Sequence, residues 1–175
     1  VSRALTRDSH CSYCGAPFAP EQLWPRVCAA CGNTSYRNPL PVAVVLVPVE
    51  SRGLLLVRRT IPPRAGSLAL PGGFIGVGES WQEAGAREVG EETGLTVDPR
   101  EIQLYDALSA PDGTLLVFGI CSPRLVADIP PFAPNPEASE TVVASEPVEL
   151  AFPLHAQVAA RFWQEGHPGG RGGPA

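Results

Sequence analysis

From Val42 to Val49 the chain is apolar almost without interruption, and after a polar turn at Glu50–Gly53 it resumes with Leu54–Arg58. Short β-branched or leucine-rich runs bounded by turn residues predict strands, and this spacing predicts a hairpin. Ser80 to Thr93 predicts a helix, with Ser80 as N-cap, Glu83 three positions later as its capping-box partner and Gly94 as the stop. Leu104–Leu108 and Leu115–Cys121 predict a second strand pair about the turn Ala110-Pro-Asp-Gly113. Residues 122–136 hold five prolines, which excludes a regular element there, whereas His155 to Glu165 suits a closing helix. Gly166 to Ala175 is rich in Gly and Pro and predicts a disordered tail.

Composition narrows the class. A chain of 175 residues can bury the core of one domain with a small appendage, and 18 Gly with 20 Pro predict many stiff loops. The 13 basic and 18 acidic residues leave a net charge of −5, which argues against coating a polyanion, so no nucleic-acid partner is expected. The longest apolar run contains Pro48 and falls far short of a membrane helix, so no membrane partner is expected either. The first residues are polar and resemble no secretory signal, which makes a cytoplasmic location the expectation.

Four of the five cysteines form two hooks, Cys11-Ser-Tyr-Cys14 and Cys28-Ala-Ala-Cys31, separated by 13 residues and each followed by glycine. Thiolates two residues apart on a tight turn can both point at one soft ion, so the array predicts a structural Zn²⁺. Two disulfides are the alternative, disfavoured in a reducing compartment. Four thiolates leave no open coordination position, so this zinc would support folding without chemistry. Cys121, alone at a strand end, reads as a core residue. Residues 1–38 thus separate as a zinc ribbon, 39–165 as the main domain and 166–175 as the tail.

In the predicted helix Glu88, Glu91 and Glu92 stand at i, i+3 and i+4, which places three carboxylates on one face. Their mutual repulsion is relieved by a cation, and hard oxygen ligands suit Mg²⁺ or Mn²⁺, which in turn hold phosphate oxygens. A solvated acidic face is the plain alternative for three glutamates taken alone. Arg87 is placed to pair with Glu91 or to reach back to Glu79 and fix the preceding glycine-rich loop.

The whole segment discriminates between these readings. Gly73, Glu79, Arg87, Glu88, Val89, Glu91, Glu92, Gly94 and Leu95 fill every defined position of G-x5-E-x7-R-E-U-x-E-E-x-G-U, U being bulky and aliphatic, and so resemble the signature of the Nudix hydrolases. The resemblance implies an α/β (α+β) fold, a mixed β-sheet sandwiched between α-helices with the signature as loop–helix–loop. It also implies hydrolysis of a nucleoside diphosphate linked to a further group, by attack of a metal-activated water on phosphorus. By the same likeness Glu88, Glu91, Glu92 and the carbonyl of Gly73 hold the metals, and Glu79 with Arg87 braces the loop. Glu91 is the first choice of general base, with Glu137 or Glu140 in reserve.

A four-cysteine ribbon before such a domain resembles the zinc-ribbon subgroup that includes NADH, ADP-ribose and FAD pyrophosphatases, and Asn38-Pro39 and Glu149-Leu-Ala-Phe-Pro153 carry the same likeness. NADH pyrophosphatases follow the signature helix with S-Q-P-W-P-F-P-x-S; here Ser109-Ala-Pro-Asp-Gly-Thr114 has neither Trp nor Phe. That departure tells against specificity for NADH, while the subgroup likeness implies a small nucleotide substrate such as ADP-ribose, FAD or NAD(H) and favours a homodimer. A nucleoside triphosphate pyrophosphatase and a non-catalytic nucleotide sensor are the competing readings. Outside the signature, Arg58, Arg59 and Arg64 are candidates to clamp phosphates, and Phe74, Tyr36 and Phe118 to stack on a base. Trp81 and Trp163 read as packing residues.

Overall fold

The computed structural model describes residues 6–50 and 53–166. The tail expected from 166 onward lies, apart from Gly166, outside the described residues. The chain divides between Pro39 and Leu40 into two compact units.

The N-terminal unit carries one small ribbon, β1 (Arg26–Val27) antiparallel to β2 (Thr34–Ser35). Its apolar cluster is Cys11, Phe18 and Cys28 with Ala16 and Trp24, too small to close a hydrophobic core by itself. The Arg26 guanidinium lies over the Trp24 ring, 4.5 Å from its centroid, and shields the aromatic pair from water.

The second unit contains β3 (Leu40–Leu46), β4 (Pro48–Val49), β5 (Gly53–Arg59), β6 (Leu68–Ala69), β7 (Gly72–Phe74), α1 (Trp81–Thr93), β8 (Gln103–Ser109), β9 (Thr114–Ile120), β10 (Ala138–Ala144) and α2 (Pro153–Gln164). One four-stranded sheet runs β7-β3-β9-β8, with β3 and β9 parallel and the other pairs antiparallel. The other centres on β5, which pairs antiparallel with β10, β4 and β6.

Strand periodicity sorts the buried side chains into two layers. Val44, Leu46, Leu54, Leu56, Leu116 and Phe118 face α2, packing with Val158, Ala159 and Phe162. Val45, Val47, Val49 and Leu55 point the other way and pack with Val89 of α1, Leu95, Val97 and Ile102. Strands buried on both faces read as continuous apolar runs, which is why the sequence around 42–57 shows no alternation. No helix among the described residues is long and apolar enough to cross a membrane.

Three expectations need correction. The expected hairpin forms only from the end of the apolar run: Pro48–Val49 pairs antiparallel with β5, whereas Leu40–Leu46 belongs to the first sheet. The chain changes sheets at Val47, where one residue bridges two strands of the same apolar character. Strand β10 had no counterpart in the sequence reading, because Ala138-Ser-Glu-Thr opens it with polar residues next to a proline-rich loop. Phe118 is fully buried and packs edge-on against His155, so it is a core residue and stacks on no ligand. Trp81 and Trp163 pack against the two cores, and Cys121 is buried, as expected.

Candidate active site

Helix α1 starts where the sequence says it should. Ser80 Oγ accepts the Glu83 N–H at 3.2 Å, Glu83 Oε2 accepts the Ser80 N–H at 2.7 Å, and Gly94 closes the helix with φ 75°. At Gly85 a Cβ would stand 2.7 Å from Val45 Cγ2, so glycine lets the helix sit close on β3.

That close seat turns Glu88 and Glu92 inward over β7, leaving them only 7% and 4% exposed. The Gly72 N–H donates to Glu92 Oε2 at 3.0 Å. The Glu88 carboxylate occupies the space a side chain at residue 73 would need: a Cβ there would lie 2.3 Å from Oε1. A Cβ at residue 73 would therefore push the Glu88 carboxylate aside, which glycine avoids.

A third carboxylate joins from a distant segment. Ligand oxygens of Glu88, Glu92 and Glu137 all lie within 4.8 Å of one another. Burial pushes the Glu92 carboxyl up to about 7 against the Gly72 hydrogen bond, and burial likewise raises Glu88 against the pull of Arg87. Two buried carboxylates crowded by a third, exposed one fit a hard divalent cation, which would relieve both the desolvation and the repulsion.

Glu91 is placed differently. Successive residues advance by about 100° on a helix, so Glu92 lies close to Glu88 in azimuth while Glu91 falls on the Arg87 side. Its side chain is 60% exposed and accepts from Arg87 Nη1 at 3.2 Å. Arg87 ties the neighbourhood together: it grips Glu79 through Nη2 (2.8 Å) and Nε (3.2 Å), Glu88 through Nη1 (2.7 Å), and the Phe74 carbonyl through Nη2 (3.1 Å). The Gly76 N–H donates to Glu79 Oε1 at 2.6 Å, and Arg87 first, then that bond, holds the Glu79 carboxyl below the usual range. This network fixes the loop from Gly73 to Glu79 against the helix.

The remaining candidates separate. Arg58 is paired with Glu140 across β5 and β10 and donates to the Gly66 carbonyl. Arg59 donates to the Pro63 carbonyl and lies over the Phe152 ring, and its charge is a minor influence on Glu92 beside burial and the Gly72 hydrogen bond. Arg64 sits exposed in a turn with φ 64°. Phe74 ends β7 with its ring 60% exposed. Tyr36 is exposed in the N-terminal unit.

In that unit the Cys11, Cys14, Cys28 and Cys31 sulfurs lie within 4.8 Å of one another, and none is in a disulfide. The glycines after each hook have φ 74° and 75°, and their N–H groups donate back to the Cys11 and Cys28 carbonyls. Backbone N–H groups from Cys14 and Tyr13 lower the Cys11 thiol to about 6. Two matching hooks with thiolate-favouring amides are compatible with a tetrahedral zinc site.

The NUDIX domain model matches residues 39–162. The chain belongs to the NUDIX domain family. A NUDIX hydrolase from Nitrosomonas europaea has a similar structure, with a TM-score of 0.70 at 26% identity over 93% of this chain and 94% of that one. Over 88 residues the chain is 35% identical to the NAD-capped RNA hydrolase NudC of Salmonella typhi, which covers 50% of this chain and 34% of NudC. The match therefore spans about a third of that relative's length. A bifunctional NMN adenylyltransferase/ADP ribose pyrophosphatase from Francisella tularensis, complexed with AMP and a manganese ion, shares the fold, with a TM-score of 0.52 at 22% identity over 62% of this chain and 34% of that one. In the NUDIX setting the signature's glycine, glutamates and arginine each have a local physical reason here. Glu137 lies outside the signature, and its only mark in the sequence is that it follows a proline-rich stretch.

Proposed function

We propose that this chain is a metal-dependent pyrophosphohydrolase acting on a nucleoside diphosphate linked to a second group, in the class of ADP-ribose, FAD or NAD(H). The observation that carries the reading is the gathering of the buried Glu88 and Glu92 carboxylates with the exposed Glu137, set against the Gly72–Gly73 backbone. Mg²⁺ or Mn²⁺ held there by these carboxylates and the Gly73 carbonyl would neutralise phosphate charge and acidify a water.

The chain's own residues supply the rest. Glu91, exposed beside this group and steadied by Arg87, is the proposed general base that takes the water's proton. Glu79 and Arg87 hold the loop so that backbone and carboxylates keep their spacing. Arg59, its side chain steadied by the Pro63 carbonyl and the Phe152 ring, is the proposed phosphate clamp. Phe74 offers an exposed ring for stacking on a base. Arg58, engaged by Glu140, and Arg64 are weaker candidates for the same clamp. The cysteine array is proposed to hold a structural Zn²⁺ that stabilises the small N-terminal unit.

A panel of dinucleotides, nucleoside triphosphates and NAD-capped RNA, assayed with Mg²⁺ and Mn²⁺ and read by product mass, tests the reading. The capped RNA belongs in it because NudC, a relative over half this chain, is an NAD-capped RNA hydrolase. AMP plus a second phosphate ester from a dinucleotide is the expected result. Release of inorganic pyrophosphate from triphosphates, with dinucleotides untouched, contradicts it.

A further inference from the structure

Resting on that reading, we propose that Asn135 is a positioning residue whose carboxamide joins the end of α1 to the turn that presents Glu137 to Glu88 and Glu92. The last carbonyls of a helix have no partner within it, and α1 has no basic side chain in its final turn. Asn135 Nδ2 reaches them instead, donating to the Glu91 carbonyl at 3.0 Å and the Glu92 carbonyl at 3.5 Å. The other end of the same amide faces its own loop. Asn135 Oδ1 accepts the N–H groups of Glu137 (3.0 Å) and Ala138 (2.8 Å), and the Asn135 N–H donates to the Ala138 carbonyl at 3.0 Å.

Thr60, just past β5, holds the turn from the opposite side. Its N–H donates to the Glu137 carbonyl at 2.9 Å and its Oγ1 to the Pro136 carbonyl at 2.5 Å. The backbone that carries Glu137 is thus tied to both the helix and the sheet.

The chemistry explains why this bridge matters. Glu88 and Glu92 ride on α1, Glu137 rides on the loop before β10, and their like charges push the two segments apart until a cation arrives. A short link between the segments keeps the three carboxylates gathered beforehand, so less of the cation's binding energy goes into assembling them. Asparagine suits the task because one short arm presents donors to carbonyls and an acceptor to N–H groups; aspartate lacks the donor.

Two variants of the full chain test the role. Asn135→Leu keeps the volume and removes both polar ends. Asn135→Ser keeps an oxygen for the turn but is too short to tether α1. Mn²⁺ affinity is read by the spin-resonance signal of the free ion, with thermal unfolding measured alongside, and Asn135→Ser decides if Asn135→Leu does not fold. The expected result is a loss of about tenfold in Mn²⁺ affinity, as for other residues that orient metal ligands. A lower melting temperature with wild-type Mn²⁺ affinity overturns the proposal. Glu137→Gln separates this failure from that of the proposed function. If it too binds Mn²⁺ normally, the carboxylate assignment fails; if it weakens binding while the Asn135 variants do not, only the role of Asn135 fails.

Discussion

The two ligand clusters are built on opposite plans. In the N-terminal unit, four sulfurs come from two hooks of four residues each, and each hook's geometry is complete in its own turn. In the second unit, Glu88 and Glu92 come from one helix and Glu137 from a loop, 45 residues further along than Glu92. Four thiolates around one ion would leave the first cluster closed to further ligands, whereas three carboxylates around one ion would leave positions for water and phosphate in the second. A closed local chelate lends stability to a unit whose core is too small; an open, non-local one leaves room for chemistry and depends on the whole fold to gather it.

The largest effect that would break this contrast concerns the ribbon. Stripping zinc, or replacing the four cysteines by serine, is expected to unfold the N-terminal unit outright, since structural zinc supplies about 10–16 kcal/mol in small zinc modules. Amide exchange should show residues 10–38 unprotected while Mn²⁺ binding by the second unit is unchanged. Retained protection without zinc would end the assignment. Next in size is Glu91→Gln, which should lower turnover by about 10²- to 10⁴-fold, the range of a general base, while leaving the fold and Mn²⁺ affinity near wild type. An unchanged rate would remove Glu91 from that role.

A smaller effect sharpens the contrast through pH. Burial raises the Glu92 carboxyl from 4.5 to about 7, so the folded metal-free chain holds that proton more tightly than the unfolded one. The stability gained is therefore fully present below about pH 4.5 and is lost as pH rises through about 7, amounting to at most about 3 kcal/mol. Chemical denaturation across this range should show Glu92→Gln close to wild type at low pH and increasingly the more stable of the two as pH rises, and Mg²⁺ should restore wild-type stability at the upper end. The smallest effect is at Gly73→Ala, where the added Cβ displaces the Glu88 carboxylate. About a tenfold loss of Mn²⁺ affinity is expected, as for disturbance of other groups that orient a ligand.

What was legible in the sequence follows the same division. The cysteine hooks, the capping box of Ser80 and Glu83 and the stop at Gly94 are set by neighbours within a few residues, and the structure has each of them. The inward turn of Glu88 and Glu92 is implied by helical spacing, but the outward turn of Glu91 toward Arg87 depends on which face α1 lays on β3, which spacing alone does not state. The sheet change at Val47 was hidden because both sheets demand the same apolar residues. Strand β10 and the Asn135–Glu137 turn were hidden for the opposite reason: their order comes from hydrogen bonds to α1 and β5, remote in sequence. Arg58 and Arg59 are adjacent and alike in sequence, yet strand alternation gives one to Glu140 and lays the other over the Phe152 ring.

The central claim is that the buried carboxylates serve phosphoanhydride hydrolysis through a divalent ion. Its most direct test is ADP-ribose turnover measured against Mn²⁺ concentration for wild type and for the Glu88→Gln, Glu92→Gln pair. The account predicts AMP and ribose phosphate from the wild type with saturable dependence on Mn²⁺, and no detectable product from the double variant although it stays folded. Equal turnover by the two proteins, or turnover by wild type that is indifferent to Mn²⁺ and survives chelation, would contradict it.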